Sequence, residues 1–153
     1  MPLHAEGEFR LDDEADTVDL GESLARVLQK GDAVCLSGPL GAGKSVLARA
    51  MVRALCPGEG EVPSPTFTLV QFYPAPDFPL AHFDLYRLTS ADEAYEIGLD
   101  EALREGAAII EWPERLGHHL PHDRLEVEIS LDGEARRVRL TPYGAWQERP
   151  LEA

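Results

Sequence analysis

Lysine is scarce in this chain. Only Lys30 and Lys44 occur in 153 residues, and 14 basic side chains face 28 acidic ones for a formal net charge of −14. That balance opposes close approach to a nucleic-acid backbone, so neither DNA nor RNA is expected to bind unaided. Cysteine is just as sparse. Cys35 falls in an apolar run and Cys56 at a helix end, which gives no support to a disulfide framework. No apolar stretch approaches the roughly 18 residues that a membrane span needs. The first eight residues lack a basic segment followed by an apolar one, so no secretory signal is visible and a cytoplasmic protein with no membrane partner is the expectation. Internal repeats and low-complexity tracts are absent. What remains, 44% hydrophobic and 27% charged, reads as one domain over residues 1–153 around a single core.

Against this scarcity, Lys44 stands inside Gly38-Pro39-Leu40-Gly41-Ala42-Gly43-Lys44-Ser45, which matches the phosphate-loop pattern G-x-x-x-x-G-K-[ST] at every fixed position. The glycines let the backbone curl so that successive N–H groups point at phosphate oxygens. Lys44 reaches the β- and γ-phosphates, and Ser45 offers its hydroxyl to Mg²⁺. The flanks agree. Residues 32–37 form a buried-strand run, and Lys44 to Leu55 repeat apolar Val46, Leu47, Ala50, Met51, Ala54 and Leu55 at helical spacing, with Arg49 and Arg53 opposite. The helix N-terminus then faces the loop and adds donors to the anion site.

The rest of the chain arranges itself around that unit. Glu8 to Leu11 reads as an edge strand, and Asp16 or Thr17 as the cap of a helix running to about Gln29. Val62-Pro63-Ser64-Pro65-Thr66 is held extended by its prolines and leads into a strand from Phe67 to Tyr73. A threonine there, such as Thr66, either reaches metal or γ-phosphate when nucleotide binds or is an ordinary turn hydroxyl. After a hairpin connection, Leu80 to Leu88 returns, and alternation sets His82, Asp84 and Tyr86 on one face. An acidic residue in such a strand needs a partner. For Asp84 the choices are a metal-bound water or phosphate-site donor, or a structural contact with Arg87 or a backbone amide. Ser90-Ala91-Asp92-Glu93 is a capping box for a short helix that Gly98 ends, and residues 99–104 give a second one. Ala107 to Glu111 is an apolar strand ending in a carboxylate, the layout that holds Mg²⁺ through water opposite a phosphate loop. His118, His119 and His122 lack zinc-site spacing and read as an exposed loop. Arg124–Leu131 and Arg136–Leu140 flank Asp132-Gly133 as a hairpin. Arg136, Arg137 and Arg139 read as a solvated strand face, and the polar tail from Ala145 as frayed.

Taken together, Gly38–Ser45, Ser64-Pro-Thr-Phe-Thr-Leu-Val70, His82-Phe-Asp-Leu-Tyr-Arg-Leu88 and Ile110-Glu-Trp-Pro-Glu114 resemble the TsaE (YjeE) family over residues 17–139. The resemblance implies a small bacterial ATPase that works with the proteins TsaB and TsaD to make threonylcarbamoyladenosine beside the anticodon of tRNA. Its tRNA contact would run only through those partners. The family pattern further implies that Gly38 and Gly41 to Ser45 hold the ATP phosphates, that Ser45 and Glu111 govern Mg²⁺, and that Thr66 lies in a switch-like segment. It also implies that Asp84 is needed for activity, that Trp112 lies near the nucleotide, and that Glu14 and Thr17 approach the base. Ser45 stands where threonine is commoner and keeps the hydroxyl. Pro39 departs from the usual acidic or polar residue at a position pointing away from phosphate.

The expected fold is α/β of the phosphate-loop NTPase kind: a mostly parallel central sheet with an antiparallel hairpin and helices on both faces. Two other functions use the same loop, a small-molecule kinase and a nucleotide-dependent binding module without required hydrolysis. A kinase needs arginines converging on the transferred phosphoryl, commonly from a lid; here they are scattered, and no insertion exceeds a short hairpin.

Overall fold

A computed structural model describes residues 2–4, 7–63, 65 and 68–152. In chain order these form β1 (Pro2–His4), β2 (Gly7–Leu11), α1 (Glu14–Val27), β3 (Ala33–Ser37), α2 (Lys44–Leu55), β4 (Val70–Tyr73), β5 (Leu80–Asp84), α3 (Glu93–Glu96), α4 (Leu99–Glu105), β6 (Ala107–Glu111), β7 (Arg124–Asp132), β8 (Ala135–Pro142) and β9 (Pro150–Glu152), with 3₁₀ segments at Pro113–His119 and Gly144–Glu148. Seven strands make one mixed sheet in the order β2-β8-β7-β3-β6-β5-β4. Its centre, β7-β3-β6-β5, is parallel, while β2, β8 and β4 join antiparallel. β1 and β9 pair as a separate antiparallel ribbon.

Strand alternation divides the core. Val34, Leu36, Ala107, Ile109 and Leu80 face the layer of α1 and α2, whereas Cys35, Ala108, Ile110, Ala81 and Phe83 face the side carrying α3, α4 and Leu116. Helices therefore cover both faces. In α2 the expected Leu47, Ala50 and Met51 are buried, Ala48 and Val52 are buried beside them, and Ala54 is exposed; the helix packs on α1 as well as on the sheet. Gly21 of α1 makes that packing close, since a Cβ there would lie 2.7 Å from Cβ of Ala50. Truncating a fully buried side chain such as Leu47 to alanine costs about 2–5 kcal/mol.

Several boundaries differ from expectation. α1 is capped by Asp13, whose side chain accepts from the Asp16 N–H at 3.0 Å, not by Asp16 or Thr17. Asp16 instead returns its carboxylate to the Asp12 N–H at 2.9 Å, and acidic residues in this first turn suit the helix dipole. β5 stops at Asp84: Leu85 N–H still bonds the Glu111 carbonyl, but Leu88 N–H turns back to Leu85. β4 begins at Val70, after a turn at Thr68 and Leu69 in which Leu69 takes a positive φ of 69°; Phe67, the expected start, lies outside the described residues. The β7–β8 turn is Gly133-Glu134, one residue on from Asp132-Gly133. His118 and His119 lie in a 3₁₀ segment, and His119 packs between Tyr95 and Asp92. The tail is anchored, not frayed: Trp146 is fully buried, and Arg149 pairs with buried Asp32 at 2.5 Å. Among the described residues no helix is long and apolar enough to cross a membrane.

Candidate functional site

The loop sits where β3 ends and α2 begins. Gly38 takes φ 141°, and a Cβ there would overlap the Ile129 carbonyl of β7; the chain leaves the sheet through a gap that only glycine fits. Gly43 takes φ 107° and caps α2 without a side chain, so the helix N-terminus opens onto the loop. Lys44 is 5% exposed. Its Nζ donates to the Gly38 carbonyl at 2.5 Å and lies 3.7 Å from the centre of the Trp112 ring. Burial pushes its pKa below the ordinary value of 10.5, against the pull of Glu111, Glu114 and Asp84.

Two strand ends supply carboxylates. Asp84 of β5 and Glu111 of β6 are register neighbours on the α2 side of the sheet, and both are buried. Glu111 Oε1 faces Ser45 Oγ at 3.4 Å, and its Oε2 lies 2.7 Å from Nε2 of His82. Asp84 accepts the Tyr86 N–H at 3.0 Å, a structural contact of the kind the sequence left open. Trp112 follows Glu111 with φ 59°, a left-handed conformation uncommon for a bulky residue. That turn ends β6 and throws the indole over Lys44, where Tyr86 packs on it at 4.9 Å.

These groups converge. Gly41, Lys44, Ser45, Asp84, Glu111 and Trp112 line one cavity of about 270 Å³. A second, of about 170 Å³, shares Gly41 and Gly43 and runs to Glu14, Thr17 and Arg136, with Ala42 in its wall. Glu14 and Thr17 thus stand beside the loop, one helical turn apart on α1. Thr66 and its neighbours Ser64 and Phe67 lie outside the described residues. A larger groove, about 410 Å³, separates α1 from α2 beyond the loop, but the Ser45–Glu111 pair does not open into it.

Arg136 is the residue that sequence reasoning missed. Its guanidinium donates to the Gly41 and Ala42 carbonyls, each at 3.2 Å, tying β8 to the loop. Arg137 and Arg139 do form the expected solvated face, paired with Asp132 and Glu8. The signal was strand parity: Arg136 shares a side with Val138 and Leu140, both buried against the α1–α2 layer.

A glycine loop between a central parallel strand and a helix, with an invading lysine and acidic strand ends opposite, defines a nucleotide-binding domain of the phosphate-loop NTPase class. The sequence model for "Threonylcarbamoyl adenosine biosynthesis protein TsaE" matches residues 11–139, and the chain belongs to the TsaE family. It is 41% identical over 135 residues to the tRNA threonylcarbamoyladenosine biosynthesis protein TsaE of Aquifex aeolicus (strain VF5), covering 87% of this chain and 94% of that one. The protein of the same name from Rickettsia bellii (strain RML369-C) is 38% identical over 128 residues, 84% of this chain and 89% of the relative. The crystal structure of Bacillus subtilis YdiB superposes with a TM-score of 0.76 at 27% identity, covering 97% of this chain and 90% of that one.

Proposed function

We propose that this protein binds and hydrolyses ATP as a subunit of the apparatus that makes threonylcarbamoyladenosine in tRNA, acting with TsaB and TsaD in the cytoplasm. The observation that carries the reading is the convergence of Lys44, Ser45, Asp84 and Glu111 on the cavity under the phosphate loop. The loop amides and Lys44 bind the phosphates, and Glu14 and Thr17 flank the nucleoside end. The sequence carries no guanine-selecting Asn-Lys-x-Asp pattern, which favours ATP. Trp112 closes the site above Lys44, and Thr66, outside the described residues, takes the switch role that the family resemblance implies.

Ser45 and Glu111 present a hydroxyl and a carboxylate oxygen, the hard donors that Mg²⁺ takes, so the residues fit that ion. When bound, it neutralises charge on the β- and γ-phosphates. In this reading Glu111 holds the metal shell and Asp84 orients the attacking water.

The chain alone turns ATP over slowly, since nothing beyond the loop resembles a committed arginine finger or acceptor site. With a net charge of −14, tRNA is reached only through TsaB and TsaD, which complete the site on docking. The test measures ATP hydrolysis by the chain alone, with a TsaB–TsaD assembly, and with tRNA alone. Stimulation by the proteins is the expected result. Strong stimulation by bare tRNA, with none from the proteins, overturns it. A hydrolysis-dead variant that binds ATP and still supports tRNA modification would reduce the protein to a nucleotide-dependent binding module.

A further inference from the structure

The two oxygens of the Glu111 carboxylate have different partners. Oε1 is turned to Ser45 Oγ at 3.4 Å, and Oε2 is held by His82 Nε2 at 2.7 Å. Both residues of the second contact are buried, His82 to 1% exposure and Glu111 to 2%. The other ring nitrogen, Nδ1, is buried with no hydrogen-bond partner. An ionised carboxylate only accepts, so the proton of this contact sits on Nε2, and a single proton satisfies the pair. The sheet fixes the arrangement. His82 lies two residues before Asp84 on the same face of β5, and Asp84 is the register neighbour of Glu111 on parallel β6, so the imidazole reaches diagonally to the carboxylate.

We infer that His82 is a positioning residue: its Nε2–H locks the rotation of the Glu111 carboxylate so that Oε1 faces Ser45, and it thereby sets the affinity for a divalent cation while touching neither cation nor nucleotide. The inference rests on reading Ser45 and Glu111 as the magnesium-facing pair. Without the His82 donor the carboxylate is free to swing toward the Lys44 ammonium, whose charge it already feels. Partners of this kind behind a ligating carboxylate are worth about 10–100-fold in metal affinity or activity.

The test is a magnesium titration at fixed ATP, read by calorimetry, on the wild type, His82→Leu and His82→Gln, alongside ATP binding in chelator. His82→Leu should raise the half-saturating magnesium concentration by about tenfold or more and leave metal-free ATP binding unchanged. His82→Gln, whose amide N–H extends to about where Nε2 sits, should restore most of the loss. Equal losses with and without metal would reduce His82 to a packing residue. Wild-type magnesium dependence that His82→Leu leaves unaltered overturns this inference alone, whereas wild-type binding indifferent to magnesium overturns the parent reading. A readout free of metal and nucleotide accompanies these: the ¹⁵N resonances of His82 in the free protein should report the Nε2-protonated tautomer and shift in Glu111→Gln. An Nδ1-protonated ring removes the positioning bond.

Discussion

The ammonium of Lys44 lies 3.7 Å from the centre of the Trp112 ring and 2.5 Å from the Gly38 carbonyl. A ring face and one carbonyl are modest partners for a buried cation, and desolvation holds the Lys44 pKa below 10.5. The folded protein therefore binds fewer protons than the unfolded chain between the lowered value and 10.5, so this group's contribution to stability improves as pH rises through that window. At neutral pH the charged lysine is a cost that phosphate would offset. Lys44→Ala is expected to weaken ATP binding by about tenfold or more, the scale of a lost charge-assisted bond, with no fall in the thermal midpoint. Calorimetry and a melting curve check both; unchanged affinity would defeat the reading of the site.

The same shift has a pH signature. ATP affinity should begin to fall below the ordinary lysine range as Lys44 loses its proton, and binding there should take up a proton as phosphate restores the charge. Titrations in two buffers of different ionisation enthalpy measure that uptake. Affinity that stays flat up to the ordinary lysine pKa would show that burial does not lower the Lys44 pKa in the free protein.

Trp112 should report occupancy. Its indole covers the lysine in the cavity wall, while Trp146 is fully buried beneath Arg149, which pairs with Asp32 at the opposite end of β3 from the loop. Nucleotide should therefore change the emission of the wild type, and Trp112→Phe should abolish the change while binding persists in calorimetry. A signal retained in Trp112→Phe would trace the response to Trp146 and place nucleotide elsewhere.

Glu111→Ala and Asp84→Ala should both lower hydrolysis, but they separate in binding. Loss of Glu111 should weaken ATP binding only when magnesium is present; loss of Asp84 should spare binding and reduce turnover. The reverse pattern would exchange the two roles.

The parts legible in the sequence were those written in consecutive residues. The loop needs eight adjacent positions and β6 five, and α2 and β6 fall where the pattern predicts, Lys44–Leu55 and Ala107–Glu111. The cap was expected at Asp16 or Thr17, whereas Asp13 caps α1; any of several closely spaced oxygen-bearing side chains can accept from a helix N–H, and local sequence does not say which one does. Alternation ran on past Asp84 because nothing local marks where β6, the neighbour that sustains β5, comes to an end. The tail was misjudged for a related reason: its composition is polar, and two residues, Trp146 and Arg149, anchor it. The His82–Glu111 contact joins positions 29 apart. Its members stood in separate motifs, and only the parallel register brings them together.

Arg136 carries the prediction least visible beforehand. Its guanidinium reaches from β8 to the Gly41 and Ala42 carbonyls at 3.2 Å each, and so holds the loop in a path that the Ala42 N–H also fixes by donating to the Pro39 carbonyl at 3.1 Å. Arg136→Ala removes both guanidinium contacts, so the free loop should sample other conformations. Affinity for ATP and ADP should fall alike, by about three- to tenfold for a loss of roughly 1 kcal/mol, and amide exchange across residues 41–43 should quicken. Arg136→Lys should recover only part of the effect, because a single ammonium does not span two carbonyls as a planar fork does. Calorimetry with both nucleotides and hydrogen exchange on the free protein measure the two effects. Unchanged exchange together with weakened binding would mean that Arg136 acts on the nucleotide directly; if neither changes, the tie between β8 and the loop has no functional weight.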